Sequence, residues 1–141
     1  MAFTRNILLR DATIQDIQLE LIRRRRFNEF DGKVVVESLL RHRDLWIAAF
    51  MTRIGFANED HADCFPLESL ICLRDVADNE WNVDTSIVLS EDIEHARLIA
   101  AVAGREAWQA DEVLIQDDEQ GCSMSLGFGS YPYGAVSCWW R

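Results

Sequence analysis

The side chains best equipped for chemistry gather in "EDHADC", where Asp60, His61, Asp63 and Cys64 fall in one short loop. An imidazole, two carboxylates and a thiolate are the donors of a divalent-metal site. Their spacing matches no zinc or calcium motif, however, and contiguous residues rarely converge on one ion, so the spacing favours a solvated loop and no metal. His95 stands four residues after Glu91. On a helix the two share a face, which permits an ion pair or a carboxylate-oriented imidazole. His42, two residues from Asp44, is too close in sequence to face it across a helical turn.

None of these groups assembles a nucleophile, a base and an orienting residue. No serine or cysteine occupies a strand-to-helix elbow, and no glycine-rich loop leads from a strand into a helix. "GFGSYPYG" has the glycines but reads as a hairpin turn between strands. Cys64, Cys72, Cys122 and Cys138 include no C-x-x-C pair and read as reduced core residues. No catalytic residue and no cofactor are therefore expected. An enzyme or ligand-binding domain with a pocket between sheet and helices, using His61 or His95, is the second reading.

These side chains must be positioned by a chain of 141 residues, long enough for one self-supporting α+β domain over 1–141. The first half reads helical. Ile14, Ile17 and Leu21 form an amphipathic stripe behind Thr13, predicting a helix over 13–28. Val35, Val36, Leu39, Trp46, Ile47, Phe50 and Ile54 share a second stripe, predicting a long helix or two joined near Asp44. Arg43 projects into that stripe and needs a partner or a route to water. Pro66 suits the first turn of a short helix over 67–75, although "SLICLRDV" fits a strand equally well.

The second half alternates. Residues 83–88 read as a strand, followed by a helix with Ser90 as N-cap and Gly104 as its stop. "EVLIQ" makes another strand, and "CSMSLGFG" alternates apolar with small residues as a strand over 122–128. "AVSCWW" closes the series. The expectation is an α+β fold: a helical N-terminal half, of two or three helices, packed on a mainly antiparallel sheet with β-α-β-β-β order. In the last strand Trp139 and Trp140 must point to opposite faces, so one joins the core and the other needs a cover.

Charge separates along the chain. The formal net charge is −10, and residues 75–141 carry all of the excess, with thirteen acids against three arginines. The exception to this acidity is "RRRR" at 23–26. At about 100° per residue these side chains radiate in four directions and form no flat basic patch. The helical stripe places Arg24 and Arg25 near the buried side, and the simplest role for the run is to pair with acids of the same chain, tying the helical half to the acidic half.

An acidic balance without a basic stripe opposes nucleic-acid binding, and no apolar run reaches the length of a membrane span. Without an apolar leader segment, a cytoplasmic location is expected. The leading functional expectation is a small acidic protein-binding module for a basic macromolecular partner, inhibitor-like or immunity-like by charge and size alone. Its contact residues would be Asp75, Asp78, Glu80, Asp84, Asp117, Asp118, Glu119 and Trp139, forming one negative surface. The same charge asymmetry is compatible with head-to-tail homo-oligomers.

Overall fold

The computed structural model describes residues 7–53, 67–116 and 133–141. After a 3-10 turn at Leu9–Asp11, Thr13 opens helix α1 (Ile14–Arg24) with a capping box. Its hydroxyl accepts the Asp16 N–H at 3.0 Å, and the Asp16 carboxylate accepts the Thr13 N–H at 3.1 Å. The helix stops at Arg24, short of the expected 28, and its buried side differs from the expected stripe. Ile14 is 80% exposed and Ile17 and Leu21 are only half-buried, whereas Leu19 and Ile22 are sealed in the core. The buried face is thus turned by about 100° from the Ile14 stripe. Gln15 and Gln18 lie on it and disguise it in sequence.

A tight hairpin follows, β1 (Arg26–Phe27) against β2 (Phe30–Asp31), turning at Asn28 in the left-handed region (φ 46°). Asp31 then caps α2 (Gly32–Arg41) by accepting the Lys33 N–H at 3.1 Å. Val35, Val36 and Leu39 form its buried stripe. The long second helix expected through residue 54 does not form. The chain leaves α2 at His42, makes a 3-10 turn over Arg43–Leu45, and becomes strand β3 (Ala48–Thr52). Its alternating burial fits a strand, and ladder bonds to a distant segment, not local periodicity, decide its state.

Helix α3 (Leu67–Ala77) covers the short helix expected over 67–75. Strand β4 (Thr85–Ser90) leads into α4 (Ile93–Arg105), capped by Asp92 and not by Ser90, which is the last, buried residue of the strand. Gly104 does not end α4. Helix exit is set three residues later, where Ala107 takes a left-handed φ of 58° and the Trp108 N–H returns to the Ala103 carbonyl at 3.2 Å. Gly104 is exposed helix, and a methyl group added to it meets nothing within 4 Å. Gly104→Ala should therefore raise stability by about 0.5–1 kcal/mol, read as a higher urea midpoint with an unchanged slope.

Strands β5 (Glu112–Gln116) and β6 (Gly134–Trp139) complete the described sheet. Its order is β3-β4-β6-β5 with every neighbouring pair antiparallel. Strand β6 therefore inserts between β4 and β5, which run parallel to each other on either side of the α4 crossover. The strand expected over 122–128 lies outside the described residues. The expected α+β class and mainly antiparallel sheet are present, with one strand, β3, drawn from the half expected to be helical.

The core lies on one face of this sheet. Ala49, Met51, Val88, Val136 and Cys138 point to it, and α1, α2 and α4 supply Leu19, Ile22, Val35, Leu39, Ile99 and Val102. Trp140 continues the inward series of Val136 and Cys138 past the end of β6 and packs edge-on to Phe30, with ring centroids 4.6 Å apart. On the outer edge of β3, one side chain satisfies the backbone of Ala49. The Gln15 amide donates to the Ala49 carbonyl (2.8 Å) and accepts the Ala49 N–H (2.9 Å), reproducing the bonds a further strand would make.

Candidate functional site

Glu106, at the C-terminal end of α4, gathers three side-chain partners. Its carboxylate accepts from Arg41 (2.5 Å) and the buried Ser38 hydroxyl (2.9 Å), and lies 2.5 Å from His42 Nε2. The Arg41 guanidinium, His42 and Ser38 together hold the Glu106 pKa down to about 2. Held in its ionised form by partners on another helix, this carboxylate clasps α2 to α4.

The clasp has a pH signature. The Glu106 pKa falls from its ordinary 4.5 to about 2 on folding, so the unfolded chain binds more protons than the native one between those values. Its contribution is complete above 4.5 and is lost as pH drops toward 2. Urea unfolding followed down that range should show a shallower acid-induced loss for Glu106→Gln than for the parent. Parallel curves for the two proteins would show that the clasp does not sense acid.

His95 pairs with Asp92, the N-cap of its own helix, and not with Glu91. Asp92 Oδ1 accepts the His95 N–H at 2.8 Å and lies 2.7 Å from His95 Nδ1. The hydrogen bond to Asp92 raises the His95 pKa, reinforced by the charges of Asp92, Glu91 and Asp44, while the same backbone and side-chain bonds lower that of Asp92. His42 is committed to Glu106 and does not address Asp44. Burial pushes the Cys138 thiol up to about 11, which removes it as a nucleophile. Among the described residues no group of three histidines, cysteines or acids is placed to hold a metal ion. His61 and the other residues of "EDHADC" lie outside the described residues.

The arginine run does pair with carboxylate, but locally. Arg23 (2.5 Å) and Arg24 (3.1 Å) share Glu20 within α1, and the Arg23 bond leads in holding the Glu20 pKa down to about 2. Arg24 is exposed, contrary to its expected inward position. Arg25 is the inward member because it lies past the helix end. It stacks on Phe27 at 4.4 Å and donates to Asn82 at 3.0 Å. Arg43 stacks on Trp46 at 3.9 Å and donates to its carbonyl. Among the described residues the two halves are joined at Glu106 by Arg41 and His42, which no local sequence pattern marks.

The proposed contact acids occupy different environments. Asp75 is 7% exposed and withdrawn into the protein, whereas Asp78 and Glu80 are exposed. Asp84 is half-buried and accepts the Thr85 hydroxyl at 2.9 Å. Asp117, Asp118 and Glu119 lie outside the described residues. Registers Thr85↔Trp139 and Glu112↔Trp139 bring Asp84, Asp111 and Glu112 to the end of the sheet where β6 finishes, together with Arg53 and Arg141. The opposite end carries Glu91 and Asp92 directly after β4, with Asp44 close enough to act on His95.

Between these two ends lies the second face of the described sheet. Phe50, Ile87, Ser137 and Leu114 form one row across the four strands, with Leu89 and Ala135 on one side and Trp139 on the other. Phe50 is 43% and Leu114 48% exposed, and Ile87, Leu89 and Trp139 are half-buried. An antiparallel sheet with one face in water ordinarily presents polar side chains there. On the same face Ala135 and Thr85 are buried. Sequence reasoning placed Trp139 on it but not Phe50, because residues 46–54 had been read as helix. Helix α3 adds a separate exposed stripe of Leu70, Leu73 and Val76.

Set against protein-family models, curated proteins and solved structures, the chain matches none. No described helix is long and apolar enough to cross a membrane.

Proposed function

We propose that this chain is an acidic protein-binding module that engages a basic macromolecular partner. The observation that carries the reading is the apolar row of Phe50, Ile87 and Leu114 on the second face of the described sheet, with exposed Glu112 at one end and exposed Glu91 at the other. Apolar side chains at the centre of an interface supply affinity, and charges at its rim supply steering and choice of partner. Exposed Asp78 and Glu80 extend the acidic end toward α3. With a formal net charge of −10, the chain as a whole attracts cations and repels its own copies.

The test is capture of partners at low and at moderate salt, followed by association kinetics with the protein recovered. Neutralising Asp78, Glu80 and Glu112 together should slow association and flatten its salt dependence while leaving dissociation and the unfolding midpoint nearly unchanged. A captured partner that is itself acidic, or an association rate indifferent to both salt and the triple substitution, would reject this function.

A further inference from the structure

We infer that His95 is a proton-operated catch that holds the turn between α2 and β3 against the first turn of α4. Strand register brings the two together. Ala48 pairs with Leu89 at the start of β3, and just ahead of it the Ile47 N–H donates to the Leu89 carbonyl at 2.7 Å. The chain entering β3 from the Arg43–Leu45 turn therefore runs beside the chain leaving β4 for α4, and the turn packs on α4. Strand β6 begins at the same end. There Ser90 pairs with Gly134, at which an added Cβ would stand 2.6 Å from the Asp92 carbonyl oxygen. The start of α4 is thus pinned against the sheet, which leaves the turn as the part able to move.

Carboxylates crowd this junction. Asp44 comes from the turn, Glu91 and Asp92 from the end of β4, and half-buried His95 stands within reach of their charge. The arginines nearest in sequence are engaged elsewhere, Arg43 on the Trp46 ring and carbonyl and Arg97 on Glu94 at 2.8 Å. From β6 the titratable neighbour in sequence is Tyr133, while Glu112 of β5 lies at the far end of the sheet, across from Trp139. His95 Nδ1 lies 2.7 Å from Asp92 Oδ1, the same oxygen that accepts the His95 N–H and caps the helix.

The bond to Asp92 does most to keep the proton on His95, and the charges of Asp92, Glu91 and Asp44 add to it, raising its pKa above the ordinary 6.5. As imidazolium, His95 draws Asp44 toward the helix. As neutral imidazole it leaves Asp44 facing two like charges, which push the turn away. The native state holds this proton more tightly than the unfolded chain does. The catch is therefore complete below pH 6.5 and is released as pH rises through the higher folded value.

Proton NMR titration of the histidines, with amide hydrogen exchange expressed as protection against the intrinsic rate at each pH, provides the test. In the parent His95 should titrate above 6.5, and Asp44→Asn should bring its midpoint down while leaving the Asp92 cap in place. The Leu45 and Ile47 amides bond to the His42 and Leu89 carbonyls and report on the turn. Their protection should fall about threefold as pH rises from about 5.5 to about 8.5, the scale of an exposed ion pair over the range in which histidine titrates. His95→Gln should abolish that fall. His42→Gln, which alters the neighbouring imidazole on Glu106, should retain it.

A His95 midpoint at 6.5, or one that Asp44→Asn leaves where it was, would overturn the catch. Protection that stays flat with pH in the parent would do the same, because His95 would then exchange its proton without moving the turn. A fall that persists in His95→Gln and disappears in His42→Gln would reject His95 and assign the response to the Glu106 clasp. Circular dichroism would establish that each variant is folded.

Discussion

Replacing Gly32 by alanine is expected to cost about 3 kcal/mol or more of folding stability, because the added methyl group would enter backbone that cannot yield. A Cβ at this position falls 1.7 Å from the Ile22 carbonyl oxygen and 2.7 Å from that of Arg25. Both carbonyls are fixed. Ile22 accepts the Arg25 N–H at 3.1 Å as α1 ends, and Arg25 accepts the Gly32 N–H at 3.0 Å as α2 begins. Relieving the overlap means parting the two helices at the crossing that buries Ile22, Phe30 and Val35. Urea unfolding would measure the loss directly, and the opposite sign expected for Gly104→Ala serves as an internal control on the same curves. A Gly32→Ala protein within about 0.5 kcal/mol of the parent, the range of an ordinary surface substitution, would show that the helices have slack at this crossing.

Trp140→Ala should be comparably severe, at about 3–5 kcal/mol, the range for removing a large buried aromatic. Trp140 is 1% exposed, and its indole N–H donates to the Trp108 carbonyl at 2.8 Å. It thereby fastens the C-terminus to the residue that closes α4, while its ring packs on Phe30 in the hairpin after α1. Trp140→Phe separates the two contributions. It keeps an aromatic ring against Phe30 but leaves the Trp108 carbonyl without that donor, for an expected loss of about 1–3 kcal/mol. Trp139→Ala is the contrasting case. That side chain lies on the open face, so its removal should weaken partner binding more than folding. Equal destabilisation by the two alanine substitutions would mean that the open face is load-supporting in the free protein.

A strand followed by a helix was legible here because β-branched residues give way to acids, a local signal, although the strand runs on through Ser90 and Asp92 is the cap. The faces of the final strand were legible for the same reason, since a period of two allows only one of Trp139 and Trp140 to join Val136 and Cys138. Residues 48–52 were not. Ala48 to Thr52 satisfy a helical stripe and a strand alternation equally well, and the choice between them lies in hydrogen bonds to Thr85–Leu89, far along the chain. The buried face of α1 was hidden because Gln15 and Gln18 occupy it. A glutamine reads as solvent-facing unless the strand edge it will satisfy is already known.

The α+β class, the acidic excess after residue 75, and the alternation that sends Trp140 inward and Trp139 outward each follow from composition or from a period shorter than one helical turn. Tertiary structure decided the rest. It placed Asp75 in the interior, joined the two halves through Arg41, His42 and Ser38 on Glu106, and set Phe50, Ile87 and Leu114 side by side on one open face. Phe50, Ile87 and Leu114 lie on three different strands, and Glu106 meets its partners from another helix. Only strand register and helix packing bring such side chains within reach of one another, because a contact between distant segments leaves no mark on the local pattern of either.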